Sequence, residues 1–88
     1  MRKNIKEHNA LLKEISALEA GINEYYGIEC SNNEQAKEMQ AKLKTMTVGT
    51  REYATTEARI HQCLKTAHNY NVLGNDLHRR VDFLREQL

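Results

Sequence analysis

Four histidines and two cysteines are the side chains of this 88-residue sequence best suited to holding a metal or moving a proton. Zinc sites gather their ligands at short spacings such as CxxC or HxxxH. His61 and Cys63 stand two apart, which sends them to different sides of a helix. His61 and His68 share a face but lie two turns apart. His78 and Asp82 are spaced i, i+4 and can pair, yet two ligands do not hold a structural metal. His8 has no such neighbour. We therefore expect no metal and no cofactor. A nucleophilic cysteine needs a base beside it. Cys63 falls on an apolar stripe, where cysteine acts as a small hydrophobe. Cys30 lies close to a candidate helix start and is the more reactive of the two by position, but Glu29 beside it opposes thiolate formation. Both are expected as reduced thiols in a cytoplasmic protein. Glu14, Glu19, Glu24, Glu29 and Glu34 recur every five residues, so they spiral around a helix instead of pairing in a cleft. Gly21, Gly27, Gly49 and Gly74 stand singly, which leaves no glycine-rich loop to cradle phosphate. These residues point away from an enzyme.

Binding chemistry is better represented. Lys37, Lys42, Lys44, Arg51, Arg59 and Lys65 span the middle of the chain, with Tyr53 among them, and form a candidate phosphate- or nucleic-acid-contacting face. Glu38, Glu52 and Glu57 interrupt it. Tyr25, Tyr26, Tyr53 and Tyr70 could stack on a ligand ring, although such tyrosines usually pack half-buried with a wet hydroxyl. The net charge of +1 excludes a globally basic nucleic-acid binder. Its distribution is uneven: residues 1–13 balance to +3, residues 14–34 to −5, residues 35–65 to +3, and residues 66–88 to zero.

Helices must position these groups. Proline is absent, and no run alternates apolar with polar residues. His8, Leu11, Ile15, Leu18, Ile22 and Tyr25 recur at spacings of 3 and 4, predicting a first helix from about Asn4 to Tyr26, widened by Leu12 and Tyr26. Gly27 can end it in the left-handed conformation. Ser31-Asn32-Asn33-Glu34 matches a capping box and predicts a second helix. Its stripe is Ala36, Met39, Leu43 and Met46, with Glu38 and Lys42 as an i, i+4 pair. That helix is expected to stop near Thr45–Thr47, with Val48-Gly49 as the turn and Thr50 as the next N-cap. A third helix then carries the longest seam: Tyr53, Thr56, Ile60, Cys63, Ala67, Tyr70, Gly74, Leu77, Val81, Leu84 and Leu88, alternating 3 and 4 as in a coiled coil. The segment 69–76 holds three asparagines, a glycine and an aspartate. The favoured reading is one continuous or kinked helix; the alternative is a break at Gly74 with a new cap at Asn75 or Asp76.

The expected fold is therefore all-α, a single domain over residues 1–88. It would be a three-helix antiparallel bundle, or a four-helix one if the chain breaks at Gly74, with a long coiled-coil-like C-terminal helix. No apolar stretch is long enough to span a membrane, and MRKNIKEHNALLKEI lacks the features of a secretory signal. In a three-helix bundle the last helix would outrun its neighbours by about 24 Å at 1.5 Å per residue. Its stripe would then need cover, since soluble proteins seldom leave one bare. This predicts a homo-oligomer, by default a two-fold dimer, with Tyr70, Leu77, Val81, Leu84 and Leu88 as the interface. The function expected from the whole pattern is non-enzymatic protein–protein interaction by helix docking. An inhibitor, adaptor or assembly factor would serve, a viral or mobile-element inhibitor of a host enzyme being one form. The alternative is a nucleic-acid or nucleotide-binding module using the basic face of residues 37–65.

Overall fold

The computed structural model describes residues 4–88, and within them the chain forms two helices: α1, Ile5–Leu43, and α2, Arg51–Glu86. They lie antiparallel. Gly21 sits beside Leu77, Gln35 beside Cys63, and Tyr26 over Gly74, so residue numbers fall on one helix as they rise on the other. The result is a rod of 68 × 14 × 13 Å. The expected three- or four-helix bundle is thus replaced by a single hairpin.

The correction has a local cause. Gly27 does not stop α1: Gly49 is the only described glycine with positive φ, so Gly27 keeps helical backbone. Ser31 does not begin a helix either, and lies exposed inside α1. The two apolar stripes assigned to separate helices are one seam in phase. From Tyr25 the steps of 4, 3 and 4 land on Glu29, Asn32 and Ala36, and the series continues through Met39 and Leu43. Glu29 and Asn32 occupy inward positions and are half-buried, so the seam looks interrupted in sequence while remaining continuous in space. Asn32 Nδ2 donates to the carbonyl oxygen of Ile28 at 2.9 Å, a bond made within the helix. Packing along 39 residues outweighs the cost of Gly27, about 1 kcal/mol.

Asn4 caps α1, its Oδ1 accepting from the Glu7 amide at 2.8 Å. The helix ends at Leu43 with Lys44 as C-cap, just before the expected stop. Thr45 Oγ1 donates to the Lys42 carbonyl oxygen at 2.7 Å. Gly49, at φ +90°, turns the chain. Thr50 then caps α2 as expected, its Oγ1 accepting from the Tyr53 amide at 3.2 Å and donating to the Thr47 carbonyl oxygen at 2.7 Å.

Helix α2 runs unbroken past Gly74, and its inward residues are those of the predicted seam: Ile60, Ala67, Gly74, Val81 and Leu84 are buried. The asparagine-rich stretch proves to be a packing site. The Tyr26 ring lies on Gly74, where an added Cβ would come within 2.6 Å of Tyr26 Cε1. Tyr26 Oη donates to Asn75 Oδ1 at 2.7 Å, and Asn75 Nδ2 donates to Asn71 Oδ1 at 3.2 Å. Tyr25 meets Tyr70 with ring centroids 5.6 Å apart.

The core is unevenly filled. Ile15, Ile22, Val81 and Leu84 form one cluster near the termini, with Leu11, Leu18, Tyr26 and Leu77 against it. Toward the loop the buried hydrophobics are Ala36, Ile60 and Ala67. With two helices of about 58 and 54 Å at 1.5 Å per residue, neither outruns the other, and α1 covers the stripe of α2 that a shorter partner would have left bare.

Candidate functional site

Seam and flanks have to be separated before a site can be assigned. Of the residues expected at an oligomer interface, Val81 and Leu84 are 2% and 4% exposed, buried within the chain against α1. Tyr70 and Leu77 are half-buried in the same seam. Leu88, just beyond α2, is 49% exposed. Four of the five therefore serve the hairpin itself.

The flanks follow the rule for antiparallel helices, in which like positions meet across the seam. On one side Glu14 pairs with Arg80 at 3.6 Å. On the other Glu19 pairs with Arg85. Within α2, Arg79 pairs with Asp76 at 3.0 Å, and His78 Nδ1 meets Asp82 at 3.5 Å, the i, i+4 pairing expected of them. All four pairs are substantially exposed, so each contributes at most about 1 kcal/mol. They lie toward the termini, where Arg79, Arg80 and Arg85, the described arginines of that end, all have carboxylate partners.

The loop end is different. Lys37, Lys42, Lys44, Arg51, Arg59 and Lys65 are all exposed, and none forms an ion pair among the described residues. The expected Glu38–Lys42 pair does not close. Three of the six cations converge: Lys42, Arg51 and Arg59 line an open groove of about 520 Å³ floored by Met39, Met46, Thr55 and Thr56, with Glu52 on its edge. Lys37, Lys44 and Lys65 are not part of that lining. The groove joins both helices across the turn, which is why sequence spacing alone does not reveal it. A second, smaller groove of about 190 Å³ lies across the seam on the opposite flank, between Glu19, Asn23, His78 and Arg85.

The histidines remain dispersed, and no group of three or more His, Cys, Asp or Glu among the described residues could hold a metal ion. Cys30 and Cys63 are free thiols; Cys63 is half-buried with its Sγ 3.9 Å from Gln35 Oε1. No described helix is long and apolar enough to cross a membrane.

What the surface offers in addition is apolar area. Leu12, Leu64, Val72, Leu73 and Phe83 are exposed along the rod. Arg80 lies over the Phe83 ring, 5.4 Å from its centroid. Comparison with protein-family models, with curated proteins and with solved structures returned no match to this chain.

Proposed function

We propose that this chain is a non-enzymatic helical interaction module whose first partner is a second copy of itself. The observation that carries this reading is surface. The hairpin exposes 6844 Å², whereas a compact monomer of 10.2 kDa is expected to expose about 5,300 Å². Its radius of gyration is 20.0 Å against about 12 Å for a compact domain of this length. The excess of roughly 1,500 Å² is of the same order as a standard protein–protein interface. A two-helix rod can bury only one stripe of each helix, so the rest of its apolar surface needs a partner. Inhibitors, adaptors and assembly factors all act through such surfaces. The free thiols fit a reducing, cytoplasmic setting. Sedimentation equilibrium at micromolar concentrations should give twice the chain mass of 10.2 kDa. A chain that stays monomeric at several hundred micromolar would overturn the proposal.

A second reading is supported by the unpaired cations. If Lys37, Lys42, Lys44, Arg51, Arg59 and Lys65 contact phosphates, binding should weaken steeply as salt rises. Retention on heparin that persists above half-molar salt, and is lost in Lys42→Gln with Arg59→Gln, would favour it over self-association.

A further inference from the structure

We infer that the second copy docks antiparallel on one particular flank of the hairpin, the side where Glu14 meets Arg80, about a two-fold axis that crosses the rod between the levels of Ile28 and Leu73. This rests on the self-association proposed above and adds the face and the direction.

Glu7, Glu14, Gly21, Ile28, Gln35 and Lys42 recur every seven residues on α1 and so share one flank of its seam. On α2 the same flank carries Glu52, Arg59, Thr66, Leu73 and Arg80. The two series meet where Glu14 pairs with Arg80, and again where Lys42, Glu52 and Arg59 line the loop-end groove. They therefore form one continuous face.

The middle of that face is uncharged at its innermost positions. Between the Glu14–Arg80 pair and the Lys42–Arg59 end stand Gly21, Ile28 and Gln35 on α1 and Thr66 and Leu73 on α2. Leu73 is 45% exposed and Ile28 half-buried. Ile28 is midway between Glu14 and Lys42, and so close to the middle of the rod. An antiparallel copy centred there overlaps along the full length. A face of 68 by 14 Å is ample for the roughly 800 Å² per partner that a standard interface buries.

Charge decides the direction. The terminal half of the face carries Glu7, Glu14, Glu24 and Asp76 against Arg79 and Arg80, a balance of −2. The loop half carries Lys42, Arg51 and Arg59 against Glu38 and Glu52, a balance of +1. An antiparallel copy sets each negative half over a positive one. A parallel copy would stack negative on negative and positive on positive, which is disfavoured. On the opposite flank the exposed Leu12 and Leu64 stand toward the two ends, and the middle between them is taken by Tyr26 and Asn71, already engaged with Asn75.

The test uses three full-length variants, light scattering for mass and circular dichroism to confirm retained helix. Leu73→Glu, which acts once in each copy beside the axis, should weaken self-association by about 100-fold, roughly tenfold per copy. Lys42→Glu with Arg59→Glu should weaken it as well, and so should Glu7→Lys with Glu24→Lys. Mixing these last two charge variants should restore a dimer, because their faces are complementary at both ends. A wild type that dimerises but ignores Leu73→Glu would overturn the face and leave self-association standing. A Leu73-sensitive dimer whose charge variants do not reassociate on mixing would overturn the antiparallel direction. A monomeric wild type would overturn this inference and the proposed function together.

Discussion

An alanine at position 74 would set its Cβ 2.6 Å from Tyr26 Cε1 and 3.1 Å from Tyr26 Cζ, so the ring must move off the helix. Moving it also breaks the Tyr26–Asn75 hydrogen bond. Helix propensity favours alanine over glycine by about 1 kcal/mol, but overpacking costs about 1–3 kcal/mol and the lost bond about 1 kcal/mol more. Gly74→Ala should therefore lower stability by about 1–3 kcal/mol in a urea melt. Gly27→Ala is the matched control. Nothing lies within 4 Å of its added Cβ, so the same change there should raise stability by about 1 kcal/mol. If both substitutions moved the midpoint in the same direction, the Tyr26–Gly74 contact would not exist as described. Gly74 was legible as a seam position from spacing alone. That the asparagines around it hold a tyrosine, and do not stop the helix, was not legible, because Asn71, Asn75 and Tyr26 meet only after the chain has turned back.

Ser31 and Thr50 each have a side chain fit to cap a helix, but only Thr50 stands in extended backbone, at φ −85° and ψ 157°. Ser31 is inside α1, with its amide in the helical ladder. Thr50→Ala should cost about 1 kcal/mol, while Ser31→Ala should be neutral or slightly stabilising; thermal melts of the two variants would show it. The capping box in residues 31–34 misleads because local chemistry is only one vote. The deciding signal was present at longer range: the Leu11–Tyr25 stripe and the Ala36–Met46 stripe share one phase. A true break would have been free to shift it. Glu29 and Asn32 hid the continuity by putting polar side chains on inward positions. The α2 seam was legible throughout, since its inward residues are apolar or small nearly from end to end, and Gly49 and Thr50 marked its start.

Across the whole rod, stability is distributed unequally. The terminal half holds Ile15, Ile22, Val81 and Leu84 together, while the loop half relies on Ala36, Ile60 and Ala67 and carries Glu29 and Asn32 on its seam. Amides of residues 15–22 and 77–84 should exchange with solvent most slowly, and those of residues 36–43 and 53–60 faster, in a native-state hydrogen-exchange experiment. The reverse order would contradict the core as placed here. Leu84→Glu puts a charge into the tight half. It should unfold the chain, at a cost of about 3 kcal/mol or more, whereas Leu73→Glu on the flank should leave helix content intact.

The same imbalance sets an order of assembly. In a hairpin, the contacts nearest the turn close the shortest loop and cost the least entropy to form. Here those cheap contacts are the weak ones. The contacts that reward folding join residues some sixty positions apart, and closing so long a loop directly costs about 2 kcal/mol more than closing one of a few residues. A zipper started at Gly49 thus climbs before it descends, gaining little until Tyr26 reaches Gly74 and the isoleucines find Val81 and Leu84. Such a chain should fold as one cooperative step through a late transition state, and more slowly than other all-helical chains of its size.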